Sequence, residues 1–93
     1  MLKVNEYFDG AVKSIAVDNA EGTATIGVME AGDYEFGTST IELMTITSGT
    51  LNVLLPDAAE WTSYNKGETF RVEKDVRFKV KANEQVAYHC LYI

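Results

Sequence analysis

Apolar and polar residues alternate with a period of two along most of this chain, the pattern of strands with one packed and one wet face. The run Ala11 to Val17 places Lys13, Ile15 and Val17 on one face and Val12, Ser14 and Ala16 on the other. Asp18 to Gly22, DNAEG, is dense in turn formers and predicts a hairpin loop, after which Thr23 to Met29 returns as a strand. Ala31-Gly32-Asp33 turns the chain again, and Tyr34 to Thr38 is a short strand. The stretch Gly32 to Pro56, GDYEFGTSTIELMTITSGTLNVLLP, holds two apolar runs joined at Ser48-Gly49-Thr50. Gly49 can supply the positive φ of a tight turn, and a hairpin is predicted there.

Three more strands follow: ETFRVE from Glu68, VRFKVK from Val76 and the closing QVAYHCLYI from Gln85. Between them and the hairpin lies a polar connection, Asp57 to Gly67, the one place where a helical turn fits, with Trp61 and Tyr64 packed against the sheet. At the start, Asn5 to Gly10 is an arm or a first turn, anchored by Tyr7 and Phe8. The reading is all-β, with two economical architectures: a small barrel or a two-sheet jelly roll. An open sheet edge invites pairing with another copy, and the last strand carries no charge after Glu84 other than His89. The expectation is a homodimer in which a second subunit covers that strand.

Length changes little in this picture: 93 residues make a single domain, 1–93, with an economical core. The opening MLKVNEYF has no apolar leader and no run approaches the roughly 20 residues that span a bilayer, so no membrane partner and a cytoplasmic location are expected. Cys90 is the only cysteine and lies in an apolar run, as a small buried hydrophobe. A net charge of −6 argues against a nucleic-acid partner, because phosphate backbones need clustered cations. The charge is uneven: residues 1–60 hold Lys3 and Lys13 against ten acids, and residues 61–93 hold six cations against four. In VRFKVK, Arg77, Lys79 and Lys81 alternate with apolar residues as the wet face of a strand. A small anion is still tolerated, since one unit charge at about 10 Å in water contributes only about 0.4 kcal/mol.

Glu42 stands out, because its neighbours Ile41, Leu43, Met44 and Ile46 belong in an interior. An unpaired carboxylate in an apolar core costs several kcal/mol, against a total stability of roughly 5–10 kcal/mol for a domain this size. Glu42 therefore faces water, has a partner, or belongs to a site.

Glu42, six residues and then Gly49 resembles the end of the first cupin motif, in which a glutamate and two upstream histidines ligate a metal. Here the histidine positions hold Phe36 and Thr38, or Glu35 and Gly37 one residue earlier. The second motif begins at Gly67, and its histidine would fall near Phe78, where none stands. One carboxylate without an imidazole cannot hold a transition metal tightly, so no metal site is expected. His89 shares a face with Ala87, Leu91 and Ile93 and reads as a structural or interface residue sooner than as a catalyst.

A second resemblance covers nearly the whole chain. NEYF-x-G-x-VKSI from Asn5, GVM and G-x-Y-x-F-x-T from Gly27 to Thr38, E-x-MT from Glu42, SG-x-LNVLLPDA from Ser48 and Y-x-C-x-Y from Tyr88 resemble the pyrimidine/purine nucleoside phosphorylases, a family of small single-domain cupins. The resemblance implies a metal-free enzyme that splits purine and pyrimidine nucleosides with inorganic phosphate as co-substrate, giving free base and ribose 1-phosphate.

The resemblance also implies a catalytic role for Glu42, since a carboxylate accepts hydrogen bonds from the ribose hydroxyls and stabilises positive charge at the sugar. Pairing with a neighbouring Lys or Thr is the structural alternative. Lys13 and Ser14, aided by Thr38, are the expected phosphate donors, although Lys13 also suits a solvent-facing position. Phe36, Phe78 and Tyr88 are expected to line the pocket and stack on base or sugar, or else to fill the core. Stacking does not read hydrogen-bond patterns, which suits both base classes. The competing reading is a non-catalytic sugar- or nucleoside-binding cupin module, because no second acid or base accompanies Glu42.

Overall fold

The computed structural model describes all residues, Met1–Ile93. Ten strands form two antiparallel sheets: β1 Val4–Tyr7, β2 Val12–Asn19, β3 Gly22–Met29, β4 Gly32–Gly37, β5 Glu42–Ser48, β6 Thr50–Leu54, β7 Thr62–Asn65, β8 Thr69–Val72, β9 Arg77–Ala82 and β10 Val86–Tyr92. The larger sheet has the order β1-β2-β3-β10-β5-β8 and the smaller β4-β9-β6-β7. The all-β jelly-roll expectation is met, with two packed sheets. Alternation decides what lies between them: Val12, Met29, Met44, Ile46, Val86, Tyr88 and Cys90 of the larger sheet face Leu51, Val53, Phe78 and Val80 of the smaller. Each such aliphatic or aromatic side chain removed from water contributes roughly 1.5–3 kcal/mol against chain entropy.

Three local expectations are corrected. Ser48-Gly49-Thr50 does not close a hairpin: β5 pairs with β8 and β10, whereas β6 pairs with β7 and β9. It is a corner where the chain crosses from one sheet to the other, with Gly49 at φ +86°. Both arms bury an apolar face, and packing them face to face across the core satisfies both.

The polar connection contains no helix. Thr62–Asn65 adds β7 to the edge of the smaller sheet, where Tyr64 packs on Phe70 with ring centroids 4.7 Å apart. Trp61 stays partly exposed, with the Lys81 ammonium 5.5 Å above its ring. Finally, β10 is not an edge. It is paired on both sides, with β3 and with β5, so its apolar character reflects a central position, and the exposed edges of its sheet are β1 and β8.

Asn5 to Gly10 resolves into the end of β1 and a turn in which Phe8, Asp9 and Gly10 all have positive φ. Phe8 packs at a tilt against Tyr34 at 5.0 Å and edge-on against Phe36 at 5.6 Å, which anchors the turn to the smaller sheet.

Candidate active site

A cavity of about 250 Å³ opens between the sheets at the end marked by the β4–β5 loop. Strand parity supplies its walls. On β5, Glu42 and Met44 point inward with Ile46; on β10, Tyr88, Cys90 and Tyr92 do the same. The register sets Glu42 opposite Tyr92 and Met44 opposite Cys90. The smaller sheet adds Phe36 and Phe78, a direct cross-strand pair with centroids 5.8 Å apart. Tyr7 of β1, Ser14 of β2, and Gly37 and Ser39 at the mouth complete the lining.

Glu42 is half-buried, and its Oε1 accepts a hydrogen bond from the Cys90 thiol at 3.3 Å. Desolvation raises the Glu42 carboxyl above its ordinary value, and the thiol hydrogen bond offsets part of that rise. The same environment acts on its neighbours. Burial, then the nearby Cys90, Tyr7 and Glu42, push the Tyr88 phenol up to about 12. Burial and the Glu42 carboxylate push the Cys90 thiol up, so it stays protonated and serves as a donor. Burial likewise raises Tyr92, whose hydroxyl lies 3.0 Å from Thr25 Oγ1. The chamber therefore presents one carboxylate among neutral hydroxyls, a thiol and aromatic faces. No Lys or Arg lines it.

The expected site residues separate. Glu42, Phe36, Phe78, Tyr88 and Ser14 all line the cavity. Lys13 does not: period-two alternation turns it to the outer face of β2, where its Nζ lies 3.4 Å from Glu6 Oε1 and both side chains are exposed. Thr38 is also outside. Its hydroxyl donates to the Glu73 carbonyl at 2.7 Å and accepts from the Val76 amide at 3.1 Å, which ties the loop after β4 to the β8–β9 turn. Arg77 lies beside the mouth, its guanidinium 3.7 Å from where a Cβ on Gly37 would lie and paired with Glu35 at 3.1 Å.

Cys90 and Tyr92 were readable in principle, since Y-x-C-x-Y puts three polar-tipped side chains on one face of a strand. Tyr7 and Ser39 enter from a strand end and a loop and leave no periodic signal. His89 points away from the cavity, on the outer face with Ala87 and Leu91. No three His, Cys, Asp or Glu side chains converge in a way that would hold a metal ion.

The two-sheet jelly roll with a cavity between its sheets is a cupin-like fold, and the cupin domain of Drosophila melanogaster CENP-C superposes with a TM-score of 0.74 over 99% of this chain and 75% of its own, at 10% identity. The family is narrower: residues 2–92 match the model of the pyrimidine/purine nucleoside phosphorylase family, and this chain belongs to it. Proteins named pyrimidine/purine nucleoside phosphorylase from Shewanella halifaxensis and Alcanivorax borkumensis are 54% and 56% identical over 92 residues, covering 99% of this chain and 99% and 98% of theirs. A solved structure of a Vibrio parahaemolyticus protein of unknown function superposes with a TM-score of 0.96 at 39% identity, covering 100% of this chain and 99% of that one.

Proposed function

We propose that this chain phosphorolyses purine and pyrimidine nucleosides to free base and ribose 1-phosphate, with broad base tolerance and without a bound metal. The observation that carries the reading is Glu42, a half-buried carboxylate aimed into a chamber of aromatic faces and neutral hydroxyls, with one oxygen already held by Cys90. The other oxygen is free to accept from the ribose hydroxyls. In the reaction a phosphate oxygen attacks C1′ as the glycosidic bond breaks, the departing base keeps that bond's electron pair and takes a proton from solvent, and the ribosyl group passes through an oxocarbenium-like state. A negative charge fixed beside the sugar stabilises that state, in a partly dry site where it is worth more than in water.

Phosphate brings its own nucleophile, so no activating base is needed. Ser14 and Ser39 supply the serine hydroxyls of the cavity, beside the phenols of Tyr7, Tyr88 and Tyr92, and Lys13, facing outward, is not placed to join them. Family membership and the names of the relatives support the class of reaction. The donor set supports metal independence, because the cavity offers a metal one carboxylate and no imidazole.

We place this activity in the cytoplasm, where nucleosides and phosphate are both available, and in a homodimer. The surface for a second copy is the outer face of the larger sheet, where Val4, Ile15 and Ile26 share one rung and Val28 the next, all at least 40% exposed. The outward positions of β2, β3, β10 and β5 on that face carry no carboxylate, and the outward acid of β1, Glu6, sits on the rung of Val28 paired with Lys13, so two copies of a chain with net charge −6 meet there across one neutralised acid.

A non-catalytic nucleoside-binding module is favoured by one observation, the lack of any cation in the cavity wall to meet phosphate. Incubation with uridine or adenosine and phosphate, with and without chelator, separates the readings. Phosphate-dependent base release that chelator leaves unchanged is expected. Folded protein that binds nucleoside but releases no base is the binding module.

A further inference from the structure

Gly27 has no backbone reason to be glycine. It sits in the middle of β3 and is not among the residues with positive φ, so any side chain suits its conformation. What excludes one is Tyr88, its register partner on β10: a Cβ on Gly27 would lie 2.3 Å from the ring Cζ, 2.4 Å from the hydroxyl oxygen and 2.7 Å from Cε1. Real Cβ atoms do not approach that closely, and the obstacle is the tip of a rigid ring. The phenol therefore lies over the glycine backbone, toward β2, where Ser14 occupies the same rung. Two small residues in adjacent strands make a seat, and Tyr88, which fills it, is buried at 6% exposure yet lines the cavity.

We propose that Gly27 is a positioning and specificity-determining residue, which lays the Tyr88 ring down as the cavity floor on which the flat face of a purine or pyrimidine base stacks. The inference rests on the nucleoside reading above and adds which end of the chamber takes the base. Glu42 and the β5 partner of Tyr88, Ile46, are four residues apart on one strand, about 13 Å along it. Both side chains line the same cavity, which assigns ribose to the Glu42 end and base to the Tyr88 end. A ring plane offers area and no hydrogen-bond code, so it accepts both base classes. The phenol stays neutral, and no charge competes with Glu42 at the sugar.

Four variants test this, with melting temperature and the KM values for adenosine, uridine and phosphate as readouts. Tyr88→Leu removes the plane, and the lost stacking predicts a nucleoside KM raised about tenfold, with phosphate KM within about twofold of the unsubstituted protein. Tyr88→Phe keeps the plane and keeps nucleoside KM. Gly27→Ala melts lower and raises nucleoside KM as Tyr88→Leu does. Gly27→Ala/Tyr88→Leu removes the clash, so it melts near Tyr88→Leu while its nucleoside KM stays high; this variant carries the test if Gly27→Ala does not fold. The proposal is overturned by Gly27→Ala with unchanged melting and KM, by Tyr88→Leu with unchanged nucleoside KM, by Tyr88→Phe as impaired as Tyr88→Leu, or by a double variant no more stable than Gly27→Ala. An unsubstituted protein that neither binds nor splits nucleosides overturns the phosphorolysis reading itself, before any variant is compared.

Discussion

Glu42 is the only acidic residue in the cavity wall, and the thiol hydrogen bond from Cys90 compensates only part of its lost hydration. The folded protein therefore holds the Glu42 proton more tightly than the unfolded chain, whose ordinary value is 4.5. The stability that accompanies protonation is present in full below that pH and is lost as pH rises through the folded-state value. Glu42→Gln should thus stabilise the protein at pH 7, by no more than about 1 kcal/mol because the half-exposed group keeps some water. The gain should vanish in denaturant titrations below pH 4.5. The same variant should lose about a hundredfold or more in kcat/KM, the usual cost of removing a charge from a transition-state site. Higher stability with lower turnover marks a functional residue, whereas lower stability with retained turnover would return Glu42 to a structural role. Glu42 was legible because a carboxylate inside an apolar run needs an explanation. The face that Cys90 shares with Tyr88 and Tyr92 could be read from the strand, but its contact with Glu42 could not, since that depends on β5 being laid beside β10.

Ser48-Gly49-Thr50 shows how an element can be recognised and still be misplaced. A glycine between two apolar runs fits a hairpin and a sheet-to-sheet corner equally, because both need the same positive φ. The choice is made by pairing partners far along the chain: β8 and β10 for β5, β7 and β9 for β6. Gly49→Ala is expected to destabilise the fold by about 1–3 kcal/mol, from the left-handed backbone and from a Cβ that would meet the Gln85 carbonyl oxygen at 2.9 Å. For a domain of this size each kcal/mol lowers the melting temperature by roughly 4–8 °C, so a scan reads the effect directly. An unchanged melting point would mean that the corner relaxes without cost. Strand β7 was missed for the converse reason: a four-residue edge strand with one half-buried side chain, Tyr64, carries too little alternation to be seen.

Across the whole molecule, the larger sheet is packed on its inner face and bare on its outer one. Ile26 and Val28 are 44% and 48% exposed in the middle of that sheet, where a solvated antiparallel strand ordinarily carries polar residues. If a second copy covers this face, sedimentation should give two chains per particle, and Ile26→Lys should give one chain with the cavity intact. A native protein that sediments as one chain would remove the homodimer. The case for assembly thus rests on a sheet face and no longer on the closing strand, which the fold places in the interior.

The chain by itself determined the strand periodicity, the inward acid, the missing imidazoles and the family motifs, because these are local: parity, composition and spacing are properties of neighbouring residues. Only the tertiary structure decided that Ser14 enters the cavity while Lys13 leaves it, that Thr38 is tied to the β8–β9 turn, that Cys90 meets Glu42, and that Gly27 is empty so that Tyr88 can lie down. Each of these depends on which strand lies beside which. Register between segments distant in sequence is chosen by the packing of the whole core, and no window of residues contains it.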